Sequence, residues 1–240
     1  MSIKIPETAV VMAAGLGKRM RPLTATRPKP LVEVAGKALI DHVFDRLAEA
    51  GVRRVIVNIH YLADALEAHL ASRKRGMEVI FSDERTKLLE TGGGLMKAKP
   101  LLGDDPFFCI NSDTYWVDGP KPALELLAQR WDAAAMDALI LMVPQARAHC
   151  HIGRGDFYLD GNGLVAAKKP LRIAPFVCSG VQILDPKVLV DPPSDVFSTY
   201  FFWMRAIEAQ RCYGFVHQGL WFDVGTPQSI KATEAILADG

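Results

Sequence analysis

The sequence predicts an α/β fold with a mixed, mainly parallel sheet, and three observations support that prediction. Segments rich in valine and isoleucine alternate with segments of helical period through the first 145 residues, as in parallel strands joined by covering helices. Beyond residue 145 a hairpin pattern and longer apolar runs replace the alternation, which indicates a smaller β-rich portion. With 240 residues and a hydrophobic content of 50%, the chain is long enough to bury one sizeable core.

In the first part of the chain, short apolar segments predict strands and amphipathic segments predict helices. The helix at 39–50 illustrates the basis, because Ile40, Phe44 and Leu47 fall on one face and Gly51 follows as a stop. The predicted strands are 9–13, 55–59, 79–82, 107–111 and 139–143, and the other predicted helices are 62–72 and 122–131.

The second part of the chain predicts a mixed arrangement. A hairpin turns at residues 160–163, "FVCSGVQILDP" is typical of a buried strand, and "STYFFWMRAIEAQ" is apolar enough for a core helix. Further strands run through 213–225, and a helix begins at Pro227, a residue favoured in a first helical turn. Because we find no repeat, low-complexity tract or linker, we expect a single domain over residues 1–240.

Composition narrows the classes of function. Lys and Arg total 28 against 27 for Asp and Glu, so no global field favours nucleic acid or an anionic membrane. No segment approaches the roughly 20 apolar residues that span a bilayer, and no secretory pattern begins the chain, so we expect a cytoplasmic setting. The widely spaced cysteines predict free thiols, and no zinc site is expected at 149–151, where adjacent side chains of an extended chain point to opposite faces. The cysteines are Cys109, Cys150, Cys178 and Cys212.

A glycine-rich turn follows the first predicted strand, in "AAGLGKRM". The dinucleotide fingerprint GxGxxG fails because Met20 occupies the third glycine position, and a Walker A loop fails because Arg19 follows Gly17 and Lys18. Two interpretations remain, a solvated basic loop and a loop whose N–H groups and cations hold a triphosphate. Prolines at 22, 28 and 30 stiffen the segment and favour the second. The cations are Lys18, Arg19, Arg21, Arg27 and Lys29.

The stretch "MAAGLGKRMRPLT…RPKPLVEVAGKALI" resembles the signature of the sugar-1-phosphate nucleotidyltransferases. The resemblance implies a Rossmann-like three-layer α/β/α fold in which residues 1–145 bind the nucleotide and 146–240 bind the sugar. It also implies that Arg19 contacts the leaving pyrophosphate and that Lys29 stabilises the α-phosphate. The resemblance assigns nucleotide binding to Ala13, Ala14, Gly15, Gly17, Arg19, Lys29, Glu90, Thr91, Gly92, Gly93 and Asn111.

Two aspartates are candidate ligands for Mg²⁺, which takes oxygen donors. Asp113 ends the apolar run "PFFCINSD", and ligands of open α/β sheets bind beyond the carboxyl ends of strands. Asp223 lies in "GLWFDVGTP". Taken alone, each is more often a turn former or a helix cap. The resemblance pairs Asp113 with Asp223 as the residues that bind the catalytic metal.

Further motifs bear on the two substrates. The three glycines of "LETGGG" are expected to precede a helical segment that contains Leu95, Met96 and Ala98. The motif is open to three interpretations: an anion nest at the start of that helix, a close approach to a base and a flexible loop. In "KKP", Lys169 and Pro170 match a family motif whose lysine reaches the sugar phosphate, and Lys168 replaces its glutamate. The resemblance assigns sugar-phosphate binding to Gly155, Asp156, Lys169, Ser179 and Gly180.

The expected substrates are a nucleoside triphosphate and a sugar 1-phosphate. "LETGGG", "GRGDF" and "SGVQIL" resemble the short members that act on N-acetylmuramic acid 1-phosphate with UTP in cell-wall recycling. Mannose- and heptose-1-phosphate guanylyltransferases share much of the signature and remain an alternative, as does a non-catalytic regulatory protein that binds nucleotide-sugars. We expect no nucleic-acid or membrane partner, and the sequence leaves open a monomer or a homodimer.

Overall fold

A nine-stranded mixed sheet forms the centre of the computed structural model, which describes residues 4–239. A three-stranded sheet and a small hairpin flank it. The strands are β1 (Thr8–Met12), β2 (Glu33–Val34), β3 (Lys37–Ala38), β4 (Arg54–Ile59), β5 (Glu78–Asp83), β6 (Phe107–Asn111), β7 (Thr114–Val117), β8 (Ala138–Pro144), β9 (Ala148–His149), β10 (Phe157–Leu159), β11 (Val165–Ala167), β12 (Phe176–Leu184), β13 (Cys212–Val216) and β14 (Leu220–Asp223). The α-helices are α1 (Leu39–Glu49), α2 (Ala63–Ala71), α3 (Glu90–Ala98), α4 (Ala123–Arg130), α5 (Tyr200–Glu208) and α6 (Pro227–Ala238).

The strand order confirms the predicted mixed, mainly parallel sheet. Strands β5, β4, β1 and β6 are neighbours in that order and run parallel. Strand β12 then pairs antiparallel with β6 on one side and with β8 on the other, and β13 extends the sheet in parallel with β8. The second part of the chain therefore supplies strands to the same central sheet, and β10 and β11 form the predicted hairpin at its margin.

Helices cover both faces of the sheet, which gives three layers. Ala9 and Val11 of β1 face a core that contains residues of α1, α2 and α4, whereas Val10 and Met12 face residues of α3 and α5. Burial on both faces explains why β1 is apolar throughout, because each successive side chain enters one of the two cores. None of the helices within residues 4–239 combines the length and the apolar character that crossing a bilayer requires.

The five strands and three helices predicted in the first part are confirmed, with end points that differ by at most one residue. One expectation differs from the structure. Residues 92–94, three consecutive glycines expected to precede a helix, lie inside α3 and are buried. Glycine is a poor helix former, so helix propensity does not explain this segment. Close packing against another part of the chain does, as described below.

The three-stranded sheet brings two distant parts of the chain together at the edge of the central sheet. Strand β14 pairs antiparallel with β7, and in this register Asp223 lies opposite Thr114. Helix α6 follows, begun by a capping box in which Thr226 and Ser229 satisfy each other's backbone N–H groups. Phe222 and Ile230 pack in one apolar cluster beneath the site. The register places Asp223 beside the turn that contains Asp113.

Candidate active site

A cleft runs along the carboxyl ends of the central strands and consists of four adjoining cavities. The central cavity, of about 400 Å³, lies beyond β1 and β6. The glycine-loop cavity, of about 410 Å³, is lined by residues 15–20 and shares Lys29 and Asp113 with it. The aspartate cavity, of about 230 Å³, contains Asp113 and Asp223. The outer cavity, of about 270 Å³, shares Asp156 with the aspartate cavity.

The turn after β1 depends on a glycine at position 17. Gly17 has a φ of 60°, and a Cβ there would lie 2.9 Å from Thr24 Cγ2 and 3.0 Å from Lys29 Cβ. The Thr24 hydroxyl donates a hydrogen bond to the Gly17 carbonyl at 2.8 Å. The left-handed backbone and the crowding both favour glycine, and the loop is held against the segment that bears Lys29.

A buried hydrogen-bond network fixes the start of the glycine loop. Asn58 Oδ1 accepts from the Ala13 N–H at 2.5 Å, and Asn58 Nδ2 donates to Glu84 Oε1 at 2.8 Å. Glu84 Oε2 accepts from the Leu89 N–H at 3.1 Å. The pKa of the Glu84 carboxyl is raised above its usual value, because the effect of burial exceeds the opposing effect of the hydrogen bonds from Asn58 and Leu89. The network joins the loop to the start of α3. Sequence reasoning missed Asn58, although an asparagine within an apolar strand was a usable signal.

Lys29 and Asp113 form an ion pair at the centre of the cleft. Lys29 Nζ donates to Asp113 Oδ2, and only 12% of the Lys29 side chain is exposed. Pro28 and Pro30 border the lysine on a single 3₁₀ turn, which restricts where its side chain points. The structure thus brings together the cation that the sequence assigned to a phosphate and the carboxylate that it assigned to a metal.

Asp223 and Arg19 complete the aspartate cavity together with Asp113. A Cβ built on Gly225 would lie 2.9 Å from Asp223 Oδ1 and 3.4 Å from Arg19 Cζ, so the carboxylate and the guanidinium both lie close to this turn. His151 Nδ1 lies 3.2 Å from Asp223 Oδ2. The sequence singled out His151 only as part of a triplet without expected metal binding, and its contact with Asp223 was not predicted.

A bulge in β12 shapes the opposite wall of the aspartate cavity. The register with β8 shifts between Cys178 and Gln182. Gly180 has a φ of 83°, and a Cβ there would lie 2.4 Å from Thr114 Oγ1. The Ser179 carbonyl accepts hydrogen bonds from Thr114 Oγ1 at 2.8 Å and from Trp221 Nε1 at 3.0 Å. The predicted Ser179 and Gly180 therefore lie in the cleft and also hold β12 against the small sheet.

The residues of "LETGGG" divide into two groups. Glu90 and Thr91 line the central cavity, and Glu90 has a φ of 59°. Gly92 and Gly93 were expected to contact the nucleoside, but they do not line that cavity within residues 4–239. Their N–H groups donate to the Phe197 carbonyl at 2.8 and 3.2 Å. These two glycines support the wall of the cavity by close packing.

Gly93→Ala tests this packing role. The new Cβ would lie 2.2 Å from the Asp195 carbonyl oxygen, so backbone must shift. We expect the free energy of unfolding to fall by about 1–3 kcal/mol, which exceeds the gain of about 1 kcal/mol in helix propensity. Urea unfolding measures this. Gly161→Ala is the matched control, because Gly161 has open space around its Cβ position and should show no loss. Unchanged stability in Gly93→Ala would contradict the packing role.

At the sugar-side end of the cleft, the neighbouring lysines of "KKP" separate. Lys168 lines the outer cavity and donates to the Gly155 carbonyl at 2.5 Å, whereas Lys169 is exposed. Asp156 borders the aspartate and outer cavities, and its Oδ2 accepts from the Cys178 N–H at 2.9 Å. Gly155 is buried with a φ of 66°, and a Cβ would lie 2.0 Å from the Ala174 carbonyl oxygen. The lysine in the cleft is therefore the one that departs from the family motif.

The remaining residues that were predicted to bind the nucleotide also line the cleft. Ala13, Ala14, Gly15 and Asn111 line the central cavity. Most of the lining residues that sequence reasoning did not select are polar or come from the approach to α3. They are Asn58, Leu88, Ser112 and Ser198, and two apolar residues, Met12 and Pro30, complete the lining.

Comparison with known proteins relates the whole chain to one family. The sequence profile of the family described as nucleotidyl transferase matches residues 8–239. The N-acetylmuramate alpha-1-phosphate uridylyltransferase of Caulobacter vibrioides is 45% identical over 237 residues, which cover 98% of each chain. The protein of that name from Neisseria meningitidis is 32% identical, with 95% of this chain and 97% of the relative covered.

A solved structure shows the same fold. The crystal structure of HddC from Yersinia pseudotuberculosis superimposes with a TM-score of 0.76 and 24% sequence identity. The match covers 96% of this chain and 99% of HddC. The layered arrangement of this chain is therefore a known fold.

Proposed function

The chain belongs to the nucleotidyl transferase family, and from this premise we propose that it transfers the uridylyl group of UTP to N-acetylmuramate 1-phosphate in peptidoglycan recycling. The observation that supports this substrate pair is the 45% identity, across 98% of both chains, to a uridylyltransferase of that specificity. The products are the nucleotide-sugar and pyrophosphate.

The chemistry proposed is substitution at the α-phosphorus of the triphosphate. An oxygen of the sugar 1-phosphate forms a bond to that phosphorus, and the bond from the phosphorus to the α–β bridging oxygen breaks, so pyrophosphate leaves with the electron pair. The attacking oxygen is already anionic, and no general base is needed. The protein has to align two polyanions and offset their repulsion.

The arrangement of cations along the cleft suits this task. We place the nucleoside in the central cavity beside Glu90 and Thr91, and the triphosphate along the glycine-loop cavity. Lys29 lines both cavities, so its ammonium can bind at the α-phosphate. Arg19 lines the glycine-loop and aspartate cavities, where it can neutralise the departing pyrophosphate. In this placement Lys29 offsets the negative charge of the α-phosphate, and Arg19 offsets the negative charge of the pyrophosphate.

Asp113 and Asp223 fit a Mg²⁺ ion in their chemistry. Both line one small cavity, and Mg²⁺ usually takes one or two carboxylates together with substrate phosphates and water. Within residues 4–239 no cluster of three or more His, Cys, Asp or Glu side chains could hold a metal, so the substrate would complete the coordination. When bound, the ion would neutralise phosphate charge and orient the phosphates. Ion pairing with Lys29 keeps the Asp113 carboxylate directed into the cleft.

The test is a panel of four nucleoside triphosphates against N-acetylmuramate, N-acetylglucosamine, mannose and heptose 1-phosphates, read by pyrophosphate release. We expect the highest kcat/KM with UTP and N-acetylmuramate 1-phosphate. A variant with Asp113→Asn, purified in parallel, shows whether the signal comes from this enzyme. Preference for GTP with mannose or heptose 1-phosphate would contradict the proposal, and nucleotide binding without turnover of any pair would indicate a regulatory protein.

A further inference from the structure

The outer cavity combines one cation with an aromatic wall. Its lining comprises Lys168 and Asp156 together with Phe157, Cys178, Tyr200 and Trp203. Asp156 and Cys178 also line the aspartate cavity, and Asp156, Ser179 and Gly180 of that cavity are residues assigned to sugar-phosphate binding, so the outer cavity extends the cleft past the place where we put the sugar 1-phosphate. A substituent of a sugar ring bound in the aspartate cavity could reach the outer cavity.

Lys168 is the only cation that lines this cavity within residues 4–239, and its charge lacks a carboxylate partner there. No Asp or Glu oxygen of those residues lies within 4 Å of its ammonium. The Gly155 carbonyl accepts a hydrogen bond from one of the three N–H groups of the Lys168 ammonium. Burial raises the pKa of the neighbouring Cys178 thiol to about 12, so that group is neutral at physiological pH. Two N–H donors and a positive charge therefore remain for an acceptor in the cavity.

Asp156 and the aromatic residues indicate which other chemical groups a ligand of this cavity would carry beside the acceptor. Asp156 accepts from the Cys178 N–H and borders both cavities, where its carboxylate suits a hydroxyl donor of the ring. Phe157, Tyr200 and Trp203 contact one another with ring centroids 5.8 to 6.4 Å apart. The indole N–H of Trp203 donates to Gln182 at 2.6 Å, which holds the ring in place. Such a wall suits methyl groups and aliphatic C–H bonds.

We propose that the outer cavity is a specificity subsite for a carboxylate carried on a short aliphatic arm of the sugar, with Lys168 as its ligand. This proposal rests on the proposed function, in which the N-acetylmuramate ring bears a lactyl ether. The ammonium donates to the carboxylate, and the aromatic wall packs against the methyl group of the arm. A charge-assisted hydrogen bond in a partly buried cavity discriminates strongly against a neutral substituent.

A matched pair of substrates isolates this interaction. N-acetylmuramate 1-phosphate and N-acetylglucosamine 1-phosphate differ only in the lactyl ether, so their ratio of kcat/KM with UTP measures recognition of the arm. We expect Lys168→Met to lower this ratio by about 10- to 100-fold by reducing turnover of the acidic substrate alone. Lys168→Arg keeps the cation and should retain most of the preference. Arg172→Met, which removes an exposed cation from the same loop, should leave the ratio unchanged.

The outcomes separate this proposal from the one on which it rests. If the wild-type enzyme turns over neither sugar 1-phosphate with any nucleotide, the proposed function fails. If the wild-type enzyme prefers the acidic substrate and Lys168→Met reduces turnover of both substrates equally, Lys168 binds the 1-phosphate common to both, and the subsite proposal is overturned. An unchanged ratio in Lys168→Met overturns it as well. Because the neutral substrate reports on general activity, a folding defect cannot imitate the expected result.

Discussion

Asp113→Asn and Asp223→Asn are each expected to lower kcat for nucleotidyl transfer by about 10³-fold or more at saturating substrates and Mg²⁺. Both carboxylates line the aspartate cavity, which Arg19 also lines. Asparagine keeps the shape of each side chain but removes the negative charge that a divalent cation requires, and one electrostatic contact to a transition state is worth about 10²–10³ in kcat. Pyrophosphate release at several Mg²⁺ concentrations measures the loss.

Asp104→Asn is the control for this pair, because Asp104 is an exposed carboxylate in the loop before β6 and should keep wild-type kcat. Thermal unfolding of the three variants shows whether each is folded. Near-normal kcat in both Asp113→Asn and Asp223→Asn would rule out the metal assignment. A loss in only one would assign the metal to that residue together with substrate oxygens.

Lys29→Met is expected to lower kcat by about 10²–10³-fold while the KM for the triphosphate changes much less. The ammonium borders both the central and glycine-loop cavities, where in the proposed placement it would neutralise the charge on the α-phosphate oxygens in the transition state. In the proposed placement the nucleoside and the terminal phosphates are bound by other residues of the cleft, which the substitution leaves unchanged. Steady-state kinetics with each substrate varied in turn separates the two parameters.

The exposed Lys121 provides the matched control, and Lys121→Met should behave as the wild-type enzyme does. The double variant Lys29→Met with Asp113→Asn is informative because these two side chains are ion-paired. We expect its loss in kcat to be smaller than the product of the single losses, since groups that act as a unit are not additive. A rise in KM with kcat unchanged in Lys29→Met would assign the lysine to ground-state binding.

Sequence patterns predicted elements whose signal is local. Strand β6 was placed correctly because its apolar run ends in polar residues, and this placed Asp113 at the mouth of the cleft. The glycines at 92–94 were expected before α3, and the local sequence could not show otherwise, because Gly92 and Gly93 pack against the backbone of 195–197, about a hundred residues away in sequence. A segment that distant leaves no mark on local periodicity.

The same limit explains the residues that were missed. Asn58 and Glu84 act as a pair that joins β4 to the start of α3. The role of each side chain depends on its contact with the other, which the sequence does not show. In "KKP" the family motif pointed to Lys169, but the path of the chain after β11 turns Lys168 into the cavity and leaves Lys169 exposed. Adjacent residues of an extended segment point in opposite directions, so which one faces the cleft depends on packing.

By itself, the sequence determined the α/β class and the position of the glycine loop with its cations, because alternating apolar segments and local turn chemistry depend on consecutive residues. The two aspartates were paired only through the resemblance to a family. Tertiary structure alone decided that Asp223 lies beside Asp113, through the pairing of β14 with β7, and that Lys29 forms an ion pair with Asp113. It also decided which lysine enters the outer cavity. These outcomes depend on strand register and on contacts between distant segments. Both are fixed when those segments pack into one shared core.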